Sequence, residues 1–593
     1  MNTISKKKIQ HIRPLIGITF ALGMLCACNP GPKYAKPPVQ APIAYKESAP
    51  QEFKEGSGWK VAQPGDDKIR GKWWEIYNDR QLNALEEQVQ ISNQSIIAAE
   101  ANYRAAAGLV VSAHANLFPT ITASPSYTNS RFSSTSRGGV VLGSTTGSTT
   151  GATTTGATTT GTTTTGTTTG TTGTTTTSTG TSGVSGVAGV GNAGIINTFS
   201  LPFQFSYEVD LWHKVRNTIA QNAFSAQASA GDLATALLST QAQLAQDYFQ
   251  VRALDAERKI LEDTVTAYQQ TLDLTMAQFR GGTASEENVA QAQTQLETAE
   301  AQQTDLGVSR AQYEHAIAML IGRPPANFAL EVAPLNANPP AVPVALPSEL
   351  LERRPDIAAA ERRVAAANAG VGIARAAYYP TLSLSATLGL QSSSLAQWFT
   401  WPSRFWSLGP QLAQTLFDAG ARRGATQQAE AQYDQAVANY RQTVLTAFQA
   451  VEDNLASLRI LSQEIEQQRK AVQAATHYLD LSLARYKSGV DSYLNVITAQ
   501  TTVLTNRETQ LQIELREMTS SVLLVQALGG GWDVAEFPKT QNMLAKPAKW
   551  TPATAPAQKS AQPVAPANPP PLSGTPANQP GESTNPSQNP GPR

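Results

Sequence analysis

Residues 98–120, AAEANYRAAAGLVVSAHANLFPT, return as residues 359–381, AAERRVAAANAGVGIARAAYYPT, with about ten of the 23 positions identical and no gap. A second pair, Phe279-Arg280-Gly281-Gly282-Thr283-Ala284-Ser285 and Tyr486-Lys487-Ser488-Gly489-Val490-Asp491-Ser492, matches later in each half. The first pair lies 261 residues apart and the second 207. The difference, roughly 54 residues, is about the size of a Thr/Gly tract at 136–194, so that tract reads as an insertion in the first of two repeats. It offers nothing to bury and is expected to be a long flexible loop. Its Gly189-Val190-Gly191-Asn192-Ala193-Gly194 matches a dinucleotide-binding pattern only by letter, because no strand precedes it and no helix-period segment follows.

Each repeat reads helix, strand, loop, strand, long helix, turn, long helix. Phe199, Leu201, Phe203, Phe205, Tyr207 and Val209 alternate with Ser200, Pro202, Gln204, Ser206 and Glu208. Leu382, Leu384, Ala386, Leu388 and Leu390 alternate with Ser383, Ser385, Thr387 and Gly389, and Trp406, Leu408, Pro410, Leu412 and Leu416 keep the same rhythm. Ile121 to Thr128 is the weakest of the four strands. Alternation over about ten residues suits a transmembrane barrel strand, apolar to lipid and polar to a lumen, although a soluble sandwich has the same pattern. Trp398, Trp401, Phe405 and Trp406 gather at one strand end as an interfacial girdle does, and the polar positions are mostly small and uncharged. Four strands cannot close a membrane barrel, so membrane strands here require several copies of the chain.

After Asp418-Ala419-Gly420 no helix breaker occurs until Lys487, which predicts a rod of roughly 100 Å at 1.5 Å per residue; Trp212 to Arg280 predicts a similar one. Val437, Tyr440, Val444, Phe448, Val451, Leu455 and Leu458 follow steps of three and four, the spacing of a coiled-coil seam. Such rods have too little apolar surface for a globule but can pack side by side into a hollow cylinder. A coiled-coil periplasmic adaptor or structural protein is the alternative of a different class; adaptors usually carry one hairpin with β-rich modules, whereas this chain has two hairpins interleaved with two strand pairs.

At the start, Lys6, Lys7, Lys8 and Arg13 precede an apolar run from Leu15 to Leu25, as in a secretory signal peptide. The run ends in Leu25-Cys26-Ala27-Cys28, which resembles a bacterial lipobox. Cleavage before Cys28 leaves it as the only cysteine of the mature chain, without a disulfide partner, and the expected modification is covalent N-acyl and S-diacylglycerol lipid. Asn29 in the next position is consistent with onward transport to the outer membrane. Formal charge is balanced at 45 basic and 45 acidic residues, so no field points to nucleic acid. His114, His213, His315 and His477 lack partners at ligand spacing, so no catalytic or metal site is expected and the chain reads as no enzyme.

Three stretches, read together and in order, resemble the TolC-like outer-membrane efflux family, in its NodT-type lipoprotein branch that serves resistance-nodulation-division pumps. They are Trp73-Trp74-Glu75-Ile76-Tyr77 with Leu82 and Leu85, Tyr207-Glu208-Val209-Asp210-Leu211-Trp212, and residues 346–357, LPSELLERRPDI. The resemblance covers Lys72 to Trp532 apart from the Thr/Gly insert. It implies a mixed α and β fold, with long coiled-coil helices forming an α-barrel and four transmembrane β-strands per chain, twelve in a homotrimer, in the bacterial outer membrane. It implies a passive exit duct fed by an inner-membrane pump through a periplasmic adaptor; a type I secretion channel is the alternative within the same architecture. It places adaptor contacts at Arg280, Gly282 and Ser285 and at Lys487, Gly489 and Ser492. The same likeness puts a periplasmic gate at Leu494, Asn495 and Thr498, where relatives often place carboxylates. The expected organisation is a signal peptide at 1–27, a Pro-rich linker at 28–71, repeats at 72–323 and 324–543, and a disordered Pro-rich tail at 544–593.

Overall fold

The computed structural model describes residues 29–39, 42, 45–46, 72–131, 195–335, 339–340, 350–532, 535 and 537–544. The expected signal peptide, Cys28, most of the Pro-rich linker, the Thr/Gly insert and the tail beyond Leu544 lie outside them. The chain up to Leu544 forms one compact unit.

The two halves repeat element for element. In the first, α1 (Arg80–Ser92) and α2 (Gln94–Ala115) lead into β1 (Thr120–Ala123), β2 (Ser126–Arg131) and β3 (Ile195–Val209), then α3 (Lys214–Arg280) and α4 (Glu286–Leu320). In the second, α5 (Leu350–Arg353) and α6 (Pro355–Ala376) lead into β4 (Thr381–Ser392) and β5 (Arg404–Ala413), then α7 (Ala421–Lys487) and α8 (Tyr493–Ala527); α9 (Thr540–Leu544) follows. Three of the corresponding helix pairs have equal lengths: 22 residues in α2 and α6, 67 in α3 and α7, 35 in α4 and α8.

The strands form one antiparallel sheet in the order β1/β2, β3, β4, β5. Thr120 pairs with Ser206 and Ser126 with Ser200 in a single unbroken register, so β1 and β2 are one strand interrupted at Ser124 and Pro125. The interruption falls where Pro125 and Pro202 approach the same stretch of ladder, and proline has no N–H to donate. The break at Pro125 divides this strand into two short pieces, which explains why it was the faintest in the sequence. The last strand differs from expectation: it begins at Arg404 and ends at Ala413, leaving Leu416 outside, 90% exposed.

Register puts the apolar residues of all strands on one face. Phe203, Leu388 and Trp406 stand in one row, Phe205, Ala386 and Leu408 in the next, and Tyr207, Leu384 and Pro410 beyond. The opposite face carries Gln204, Thr387 and Ser407, then Ser206, Ser385 and Gly409. Leu388, Trp406, Leu408 and Leu412 are exposed. A one-residue slip would reverse the faces, so the pattern fixes the pairing. Phe405 departs from the expected girdle because period two sends it to the polar face, where its ring packs against Gly389. Trp398 instead joins Phe199 and Phe399 in an aromatic group at the strand ends.

Short helices are joined end to end to make long walls. Asn93 caps α2 through its side-chain oxygen while its amide donates to Leu320 O at 2.7 Å, and Ser92 Oγ donates to Ile321 O at 2.6 Å, so α2 continues the line of α4. In the second half Arg354 donates to Ala527 O at 2.9 Å and joins α6 to α8. Gly322 and Gly529 have positive φ at these joints, and a Cβ on either would collide with the backbone oxygen of Ser92 or Arg353 at 2.2 Å. The seam predicted on α7 is present: Tyr440, Val444, Phe448, Val451, Leu455 and Leu458 are buried and Val437 packs beside them. Trp73, Trp74, Tyr77, Leu82 and Leu85 join the same core. Within it Glu86 is fully buried with no partner among the described residues, and burial holds its carboxyl well above the usual range. Among the described residues no helix is long and apolar enough to cross a membrane.

Candidate functional site

Both long hairpins end in the same turn. After α3, Thr283 N–H donates to Gln278 O and Gly282 N–H to Phe279 O, each at 2.9 Å; after α7, Val490 N–H donates to Arg485 O and Gly489 N–H to Tyr486 O, each at 3.0 Å. This double pairing closes the open carbonyls of a helix C-terminus and needs a left-handed residue between them. Gly282 and Gly489 supply it at φ 76° and 74°. Open space surrounds both Cα atoms, so an added methyl meets only backbone strain. Gly282→Ala and Gly489→Ala should each cost about 1–2 kcal/mol, seen as a lower thermal midpoint; an unchanged midpoint would show that the turns refold without the left-handed residue.

The structure brings the two turns together. A cavity of about 370 Å³ between them is lined by Thr283, Glu287, Tyr486, Gly489, Asp491 and Leu494 among others. Of the predicted contact residues, Arg280 and Lys487 occupy the last turns of α3 and α7, where positive charge is favoured, and Ser285 and Ser492 stand at the starts of α4 and α8. Ser285 caps Asn288 N–H at 3.4 Å, whereas Ser492 makes no side-chain cap. Behind the turns Tyr268, Leu272, Leu296, Tyr486, Tyr493 and Val496 form a small core of their own. Tyr486 and Tyr493 rings lie 5.6 Å apart, Thr275 and Tyr486 share a hydrogen bond at 3.1 Å, and burial raises the Tyr493 phenol well above its ordinary range. Gln500 donates to Thr271 at 2.9 Å and ties α8 to α3.

The three predicted gate residues are not equivalent. Leu494 is 62% exposed and Thr498 is exposed beside it one turn on, its hydroxyl donating to Leu494 O at 2.9 Å. Asn495 is only partly exposed, because its amide donates to Asp491. That bond, with the Ser492 N–H and the Arg485 guanidinium at 3.3 Å, holds the Asp491 carboxyl below the usual carboxylate range. Asp491 is therefore an ionised anchor for Asn495, a role that single-residue reading of the turn did not reveal. Its signal was the i, i+4 spacing of Asp491 and Asn495 at a helix start.

A model of the outer membrane efflux protein family matches residues 85–323 and 346–530. Over 339 residues the chain is 35% identical to the solvent efflux pump outer membrane protein SrpC of Pseudomonas putida, covering 56% of this chain and 71% of that protein. It is 34% identical over 340 residues to the pyoverdine export outer membrane protein OpmQ of Pseudomonas aeruginosa, covering 57% and 71%. Its fold is similar to that of the outer-membrane channel OprN, at a TM-score of 0.70 and 25% identity over 85% of this chain and all of that one. It is also similar to the Campylobacter jejuni CmeC channel, at a TM-score of 0.72 and 21% identity over 87% and 97%. With its two repeats, its one-faced sheet and its paired hairpin turns matched by that model, the chain belongs to the outer membrane efflux protein family.

Proposed function

We propose that this efflux channel works as a homotrimer, with three four-stranded sheets closing one 12-stranded outer-membrane barrel above a periplasmic helical barrel. The sheet carries this reading. Its apolar face needs lipid, and its two outer strands, β1/β2 and β5, are edges that only neighbouring chains can cover in a membrane. The duct conducts passively, and energy comes from an inner-membrane pump of the resistance-nodulation-division type. The paired turns at Gly282 and Gly489 are the docking surface for a periplasmic adaptor. Its mass in a non-denaturing detergent, together with planar-bilayer conductance, tests the assembly: a trimer with discrete low conductance supports it, and a monomer without channel activity overturns it.

The lipid anchor belongs to the same proposal. Asn29, next to Cys28, accepts from Asn217 in the first turns of α3 at 3.3 Å, directly below the end of β3. From there Pro32 O accepts from Asn368 at 3.0 Å, and the Tyr34 hydroxyl bonds Glu361 further along α6. Asn29 lies at the barrel end of the helices, which suits a lipid on the preceding Cys28, and mass spectrometry of the mature N-terminus checks the modification.

The gate is assigned to Leu494, Asn495 and Thr498. Replacing all three with Ala removes the exposed apolar side chain and frees Asp491 from Asn495, so single-channel conductance should rise severalfold. Unchanged conductance would sink the assignment.

A further inference from the structure

The junction between the two repeats is made once inside the chain, and its counterpart is left open at the chain's flanks. In the sheet Thr120 pairs with Ser206, and the residues 261 and 207 positions later, Thr381 and Ala413, pair with each other. Both strand pairs therefore share one register under the two offsets that align the repeats in sequence. The repeats meet where Val209 pairs with Leu382 and Phe203 with Leu388. Moving β3 forward by 207 and β4 back by 261 sets Leu416 against Ile121 and Pro410 against Tyr127, on the two outer strands of the sheet.

The length of β5 fits that junction. β3 runs to Val209, whose counterpart is Leu416, yet β5 stops three residues sooner at Ala413. The matching last residues of β3, Tyr207 to Val209, pair with β4 and not with β1, so β5 lacks the part that a following repeat would hold. Leu416 is 90% exposed and Ile121 61%.

The helices carry the same duplication. They pack in the order of the strands, α2 and α4 on α3, α3 on α6 and α8, and these on α7, which leaves α4 and α7 at the flanks. Gln500 of α8 donates to Thr271 of α3 at 2.9 Å, and the shifted contact sets Gln293 of α4 against Tyr478 of α7, both exposed. Within about three turns of that level, toward the sheet, α4 exposes Glu297 and Glu300 and α7 exposes Arg469 and Lys470. Lys470 and the two glutamates make no ion pair among the described residues, and α4 bears no exposed Lys or Arg. The counterparts inside the chain have reversed signs, Glu262 and Asp263 on α3 and Arg507 on α8, so each junction has its own polarity. Two α4 flanks would set carboxylates face to face and two α7 flanks cations, so the charges select α7 on α4, head to tail.

We infer that a second copy of this chain docks by continuing the internal repeat: β5 extends to Leu416 on Ile121 of the neighbouring copy, and Arg469 and Lys470 of α7 pair with Glu297 and Glu300 of that copy's α4. The inference rests on the homotrimer and adds which residues meet.

Paired cysteines in full-length protein in detergent test the strand register. Leu416→Cys with Ile121→Cys should oxidise to covalently linked trimers, whereas Leu416→Cys with Thr122→Cys, one residue away and on the opposite face, should link about tenfold less. For the helices, Arg469→Glu with Lys470→Glu should lower the fraction of trimer that survives mild heating roughly twofold, and adding Glu297→Lys with Glu300→Lys should restore it. Linking of both cysteine pairs or of neither, a charge reversal without effect, or one that the second reversal does not rescue overturns the inference and leaves the trimer standing. A wild-type monomer overturns the trimer and this inference together.

Discussion

Replacing Asp255 with Ala should lower the unfolding free energy by about 3–5 kcal/mol, the cost of stranding buried charge. Asp255 is completely buried in α3, and its Oδ1 accepts from Arg310 Nε at 2.7 Å. Its Oδ2 faces Arg252 at 3.3 Å and accepts the Ala333 N–H at 3.1 Å. Both guanidiniums go on to bind the chain that links the repeats: Arg252 donates to Glu331 O at 2.6 Å and Arg310 to Leu330 O at 2.8 Å. Glu314 completes the cluster by holding Arg310 at 2.8 Å and the Leu330 N–H at 2.6 Å. Without Asp255, Arg252 keeps its 97% burial and loses its anion, so the linker between repeats loses its fastening on both α3 and α4. The midpoint of denaturant unfolding, followed by helical circular dichroism, reads the effect. A loss below about 1 kcal/mol would show that water reaches the cluster and that it contributes no more than a surface ion pair.

The second large effect separates the two faces of the sheet. Leu388→Arg should oppose membrane insertion by about 1–2 kcal/mol per chain, between the cost of a cation at the bilayer midplane and its small cost at the interface, because Leu388 pairs with Trp406 of the aromatic group. Leu388 stands between Phe203 and Trp406 on the apolar face and is 52% exposed in the single chain. Thr387→Arg, one residue earlier, lands on the polar face between Gln204 and Ser407 and should leave insertion intact while shifting ion selectivity toward anions. The yield of folded protein in outer-membrane fractions and bilayer reversal potentials check the pair. Equal insertion of the two variants would mean that the faces are assigned wrongly. In a trimer the penalty is counted three times, so assembly should respond more steeply than the single-chain figure suggests.

These predictions rest on different amounts of sequence information. Alternation from Phe199 to Val209 and from Leu382 to Leu390 fixed which face meets lipid, because side chains on a strand alternate without exception and register follows. The repeated Gly282 and Gly489 turns were equally legible, since a tight helical turn restricts its left-handed position to very few residue types. Steps of three and four from Val437 to Leu458 gave the α7 seam for the same kind of local, periodic reason. All three signals come from neighbours in the chain.

Meetings between residues far apart in sequence leave no such local trace. No periodicity brings Asp255 against Arg310 and Ala333, or shows that Asn93 and Arg354 fasten short helices onto the ends of α4 and α8. Those contacts involve single polar residues whose partners are chosen by packing. The burial of Gln241, 5% exposed, is hidden for a related reason: a polar residue on a helix face looks solvated until the helices around it close. The duplication, the face of each strand and the turns are written along the chain, because they follow from local geometry; the helix joints and the buried charges needed three-dimensional packing, because only it sets which distant groups share a dry space.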